Sequence, residues 1–180
     1  MSDTAAPAVT YVSADRLTQF CIEAMLRAGL NEEDAQVSAD VLVTTDSWGT
    51  FTHGTRQLRG LLKNIRVGRI HPGARMQIEA EGPGWARVDG CDAMPLATAF
   101  RAMALCIAKA RASGIAYVGV RRSSHYGAAG YYAVQAAQQG LIGISMCNVD
   151  PGVTAPGSRS RVMGTNPIAY AAPAGDAPPV

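Results

Sequence analysis

Three short segments hold the residue types best suited to chemistry. Thr52-His53-Gly54 sets an imidazole beside a hydroxyl, Ser123-Ser-His-Tyr-Gly127 does the same around His125, and Asn148 with Gly164-Thr-Asn-Pro167 offers hydroxyl and amide groups. Histidine titrates near neutral pH, so either imidazole could give or take a proton. Arg56 lies within one helical turn of His53, and a cation beside a histidine at a helix start could hold a carboxylate. Ser123 to Gly127 fall between a β-branched, aromatic run, Ile115 to Val120, that reads as a buried strand, and an Ala- and Gln-rich run from Ala128 that reads as a helix. At such a junction the first helical N–H groups lack internal partners and attract an anion. Each segment also has a plainer reading. Ser-Ser can simply cap a helix, one histidine in a turn can be structural, and Gly-Thr-Asn-Pro is ordinary turn chemistry. Nor is this the Gly-x-Gly-x-x-Gly turn of a Rossmann fold, because Ser123 and His125 stand where the first glycines are needed.

The elements that must position these residues follow from pattern. Ser13 can cap a helix with Leu17, Phe20, Cys21, Ala24 and Ala28 on its inner face, ended by Gly29 in a left-handed stop. Asn31 caps a second helix, with Glu32, Glu33 and Asp34 in its first turn and Ala35, Ala39 and Leu42 as its stripe. The segment 52–54 leads into a third helix with Leu58, Leu61, Leu62 and Ile65 inward and Arg56, Arg59, Lys63 and Arg66 outward. Pro72 and Gly73 close this helical part. Beyond it the pattern changes: strands 76–80 and 85–89 form a hairpin, a helix spans 95–113, and strand 115–120, helix 128–139, strand 142–147 and strand 168–172 follow. Residues 152–164 are dense in Gly, Ser, Pro and Arg and read as loop. The expectation is an α/β chain with a helical lobe, residues 1–73, before an α/β layer, residues 74–180. Ligands of α/β sheets gather beyond strand C-termini, so Ser123 to Gly127 and Asn148 are expected to share one crevice, covered by the loop after Asn148.

Composition narrows the classes. The chain has 180 residues, 48% hydrophobic, enough for one substantial core or a core with a small lobe. A formal charge of +2 gives no reason to expect nucleic acid. No apolar run is long enough to span a membrane, and the small, polar start from Met1 to Val9 is no secretory signal, so a cytoplasmic protein is expected. Cys21, Cys91, Cys106 and Cys147 are far apart, with no Cys-x-x-Cys pair, so neither a metal site nor a redox dithiol is expected.

Taken together, Thr45 to Gly54, Ser124 to Tyr132 and Gly164 to Ile168 resemble, in this order, the motifs of the malate/L-lactate dehydrogenase family. That family lacks a Rossmann fold and also contains ureidoglycolate and sulfolactate dehydrogenases and reductases of cyclic imino acids. The resemblance runs from about Leu17 to the last residue. It implies a mixed-sheet nucleotide-binding domain of non-Rossmann type and an NAD(P)-dependent oxidoreductase that interconverts a small 2-hydroxy acid and its 2-oxo acid. By the same resemblance His53 is the acid/base or substrate-orienting residue, with Thr52 in place of the usual serine, and Thr52 and Arg56 lie at the substrate. Ser123, His125, Gly127, Asn148, Thr165, Asn166 and Pro167 match positions along NAD or NADP. Many relatives carry arginine where this chain has Gln57, and Arg56 stands one residue earlier. Arg121 and Arg122 could contact a 2′-phosphate, although two arginines after a strand are commonly just solvated.

Relatives continue with an Asp-Met-Ala-Thr-Ser-like segment and further sheet and helix. The chain therefore reads as the N-terminal portion of such an enzyme, with bare strand edges and part of its core open. A homodimer, or a partner supplying the C-terminal portion, is the expected assembly. The alternative is an inactive remnant or one piece of a split protein that acts only with a partner chain.

Overall fold

The computed structural model describes residues 11–179. The polar start, and Val9 and Thr10 of the short apolar piece before the first helix, lie outside them. Helices α1 (Ala14–Arg27) and α2 (Glu32–Ser47) pack as a hairpin around Gly29, at φ +96°. Asn31 caps α2 as its sequence requires: its side-chain oxygen accepts the Asp34 N–H at 3.0 Å. Ser13 makes no such bond. The inner stripe of α1 is narrower than its pattern suggests. Cys21 and Met25, one turn apart, are fully buried, while Phe20, rotated to the side, is 62% exposed. A short 3-10 turn, Thr55–Gln57, runs into α3 (Leu58–Arg66), which buries Leu58 and Leu61 and turns Arg59, Lys63 and Arg66 to solvent.

Strands β1 (Gln77–Gly82) and β2 (Trp85–Asp89) form the expected antiparallel hairpin, and α4 (Pro95–Ser113) carries the chain over to β3 (Tyr117–Arg121), parallel to β2. Helix α5 (Ala129–Ala137) then packs under β4 (Gly143–Met146), which pairs antiparallel with β7 (Ile168–Ala171). The main core draws on both sides of Gly73: Met25, Leu42 and Leu61 meet Met94, Leu96 and Tyr132. A smaller cluster, Ala133, Ala137 and Ala171, joins α5 to β7.

Three features differ from the sequence expectation. Residues 152–164 are not all loop: β5 (Val153–Thr154) and β6 (Arg161–Met163) pair as a small hairpin, because Val153 and Val162-Met163 flank the turn residues between them. The strands do not form one layer among the described residues, since β4 pairs with β7 and not with β3. And β3 is an edge strand rather than a buried one, with Tyr117 and Val120 exposed. Bare apolar surface is also present. On one face of the β4–β7 pair Ile144 stands opposite Tyr170 and Met146 opposite Ile168, and all four are 54–75% exposed.

The ends of β2 and β3 are tied by charge. Asp89, nearly buried, accepts the Cys91 N–H at 2.7 Å, Arg121 at 2.7 Å and Arg122 at 3.3 Å. Arg121 also pairs with Glu79, and Arg122 with Asp92 at 2.9 Å. The two arginines are half exposed to solvent, yet both are engaged, neutralising carboxylates at a strand junction. The Cys91 N–H first, then the two guanidiniums, hold the Asp89 carboxyl below its ordinary value against the opposing effect of burial. A carboxyl lowered in the folded state stabilises fully above the unfolded value, about 3.9, and its contribution disappears as pH falls through the folded value. Asp89→Asn is therefore expected to lower the thermal midpoint at neutral pH, with the gap to the wild type narrowing below about pH 4. A gap unchanged by acid, measured by circular dichroism, would contradict this.

Candidate active site

His53 sits where α2 gives way to the 3-10 turn. Its N–H donates to the Thr50 carbonyl at 2.9 Å, and its Nδ1 lies 2.9 Å from the Thr52 hydroxyl. The Gln57 side-chain amide donates to the Thr52 carbonyl and braces this turn from below. From the last turn of α2, Asp46 accepts the Thr55 N–H at 3.0 Å and the Thr55 hydroxyl as well. The turn passes so close to that carboxylate that any Cβ on Gly54 would overlap Asp46 Oδ1. Glycine is required here by space.

His125 comes from the segment between β3 and α5. Its ring centroid is 5.3 Å from that of His53, with the planes at 72°, an edge-to-face pair. Partial burial first, and the neighbouring His53 second, pull the His125 imidazole below its ordinary value. The segment is anchored on both flanks. Gly127, at φ +82°, packs against Val41, Leu96 and the His53 carbonyl. Tyr126 stacks on buried Tyr132 at 5.0 Å, and the Tyr132 hydroxyl donates to the Tyr126 carbonyl. The Tyr126 hydroxyl lies 3.2 Å from Ser145 Oγ on β4, and burial pushes its phenol up to about 12. This contact brings the His125 segment against β4 although β3 and β4 belong to different sheets. Ser123 and Ser124 remain exposed on its outer side.

The third segment closes on itself. Asn166, at φ +43°, accepts the Val149 N–H on its side-chain oxygen at 2.9 Å, and the Cys147 N–H donates to the Pro167 carbonyl at 3.3 Å. A Cβ on Gly164 would overlap the Val149 carbonyl. Residues 147–149 and 164–167 are therefore one unit at the ends of β4 and β7. Asn148, Thr165 and Pro167 are exposed on it, while the Asn166 oxygen is already engaged. Arg56 is exposed beside the His53 turn. No cluster of three metal-ligating side chains occurs among the described residues. No helix there is long and apolar enough to cross a membrane. Sequence reading overlooked Asp46 and the Tyr126–Tyr132 stack, and noted Gln57 without its bond to Thr52. Only Asp46 carried a signal: an acid in the last turn of a helix faces the negative end of its dipole.

The family model for malate/L-lactate dehydrogenase matches residues 12–180. This chain belongs to the malate/L-lactate dehydrogenase family. The malate dehydrogenase of Pyrococcus horikoshii is 42% identical over 167 residues, covering 93% of this chain and 46% of that protein. The NAD(+) ureidoglycolate dehydrogenase of Escherichia coli is 36% identical over 162 residues, covering 90% and 46%. The solved structure of the Pyrococcus horikoshii malate dehydrogenase superposes with a TM-score of 0.91 at 41% identity, over 94% of this chain and 49% of that one. The fold is therefore the family's, and the chain spans about half the length of the curated relatives it matches.

Because the two imidazoles are neighbours, His53→Ala removes one of the two influences that lower His125. Its pKa is then expected to rise part of the way toward the ordinary value of about 6.5, burial still holding it down. NMR titration of the His125 ring Cε1 proton measures this, and an unchanged value would contradict the contact.

Proposed function

We propose that this chain carries the reactive centre of an NAD(P)-dependent oxidoreductase that interconverts a small 2-hydroxy acid of the malate or lactate type and its 2-oxo acid. The observation that carries the reading is the His53–His125 pair at 5.3 Å, with the His125 segment held against β4 through Tyr126 and Ser145. The names of the relatives, malate and ureidoglycolate dehydrogenases, support the substrate class.

Removing two hydrogens from a 2-hydroxy acid takes a proton from oxygen and a hydride from carbon. His53 deals with the proton. Its Nδ1 is engaged by Thr52, which leaves Nε2 for the substrate oxygen. The Thr52 hydroxyl can accept from a protonated Nδ1 or donate to a bare one, so it supports both tautomers. Nε2 can then accept the hydroxyl proton in oxidation and return it to the carbonyl oxygen in reduction. His125, held toward its neutral form beside it, limits the positive charge that collects there. Arg56 provides the cation for the substrate carboxylate, with the bracing role of Gln57 leaving it that task.

The nicotinamide cofactor, when bound, accepts or supplies the hydride. The donor set fits such a group. Ser123, Asn148 and Thr165 are exposed hydroxyl and amide side chains, Gly127 brings backbone close to the His53 turn, and the Asn166 and Pro167 turn is rigidly tied to the end of β4. We assign NAD over NADP, because Arg121 and Arg122 are neutralised by Glu79, Asp89 and Asp92. In this reading residues 1–73 serve the substrate and residues 74–180 the cofactor.

A second reading is favoured by the bare face of β4 and β7: a chain that acts only with a partner covering Ile144, Met146, Ile168 and Tyr170. Fluorescence titration of the purified chain with NADH and NADPH distinguishes the two. Saturable NADH binding, tighter than NADPH and weakened about tenfold by His125→Ala, a loss of roughly 1.4 kcal/mol, is the expected result. A folded chain that binds neither nucleotide alone, but gains binding once the unmatched half of a relative is added, favours the second reading.

A further inference from the structure

Asp46 is out of place by the rules of its own helix. It lies in the last turn of α2, where the backbone presents unpaired carbonyls and partial negative charge, and α2 has no basic residue there to offset it. A carboxylate at that position opposes the helix that carries it. What offsets the cost is the next helix. The 3-10 turn Thr55–Gln57 runs directly into α3, and its N-terminal residue Gly54 has no side chain to cap it. The Asp46 carboxylate takes that role from outside, accepting the Thr55 N–H at 3.0 Å together with the Thr55 hydroxyl. One charge thus sits against the positive end of the second helix while covalently attached to the negative end of the first.

His53 is the residue just before this junction. Its own N–H is bonded to the Thr50 carbonyl, Gly49 N–H reaches back to the Asp46 carbonyl, and any Cβ on Gly54 would overlap Asp46 Oδ1. The turn from residue 49 to residue 55 is therefore closed at both ends on Asp46. Its far side, the His53 carbonyl, faces Gly127. We propose that Asp46 is the positioning residue of the reactive centre, clamping the two helix ends so that the His53 ring is presented to His125. The proposal rests on the reading of His53 as the acid/base group. Its test does not depend on turnover.

The experiment uses the whole chain, isotopically labelled, and reads the nuclear Overhauser contact between the His53 and His125 rings alongside the thermal midpoint. Asp46→Ala removes both bonds to Thr55 and is expected to abolish the ring contact. Asp46→Asn keeps the shape and an acceptor oxygen, and is expected to restore it. An Asp46→Ala protein that stays folded and retains the contact overturns the proposal. Should Asp46→Ala not fold, Thr55→Val decides, since it deletes only the hydroxyl arm of the clamp: a weakened contact supports the proposal, and an unchanged one overturns it. If the contact behaves as expected but no 2-hydroxy acid is ever turned over, the positioning role stands and the dehydrogenase reading falls.

Discussion

Two histidines far apart in the chain can face one another only if α5 is seated on the helical part, and Tyr132 is what seats it. Its ring is fully buried in the main core, where α5 meets α2 and α4, it stacks on Tyr126, and its hydroxyl satisfies the Tyr126 carbonyl. A buried phenol with its one donor paired adds a large apolar contact without leaving an orphaned polar group. Through that single side chain the core of the helical part reaches the segment carrying His125. Gly127 then lets the backbone lie against Val41, Leu96 and the His53 turn. The histidine pair thus rests on core packing together with the hydrogen bonds that hold the His53 turn.

Charge serves a different purpose at each end of the molecule. Under the His53 turn a single carboxylate joins two helix ends. At the ends of β2 and β3 three carboxylates and three arginines form a network, with Asp89 at its centre and Arg87 joined through Glu79. Cys91, Asp92 and Arg122 all have positive φ, so the backbone around this network is held in a sparsely populated region. Arg122 is followed at once by Ser123, so the strained knot is also the inner end of the segment that presents His125. Both histidine segments are thus braced from behind by a carboxylate.

Much of this was legible in the residues. Asn31, Gly29 and the Ala35, Ala39, Leu42 stripe announced the helical hairpin, because capping and periodicity act over one or two turns. The motifs around His53, His125 and Asn166 were legible by family resemblance, and the comparisons bear out the family. What could not be read was set by longer-range partners. Ile115 to Val120 has the composition of a buried strand, yet burial depends on what covers it, and β3 ends as an edge. Arg121 and Arg122 looked like solvent or phosphate ligands because Glu79 and Asp89 reach them only through strand pairing. The hairpin of β5 and β6 was hidden by the turn residues between its two short arms. Phe20 lay on the apparent apolar face of α1, but only the narrower stripe of Cys21 and Met25 finds a partner.

The central claim is that His53 moves the proton of a 2-hydroxy acid while the chain's own segments present the cofactor. The most direct measurement joins this chain to the half of the Pyrococcus horikoshii malate dehydrogenase that it does not match, and follows oxidation of NADH with oxaloacetate, pyruvate and related 2-oxo acids. The account predicts turnover with at least one acid, lowered roughly 10²- to 10⁴-fold by His53→Ala while NADH affinity is kept. Turnover undiminished by that substitution, or a folded, NADH-binding chimaera that reduces none of the acids, would contradict it.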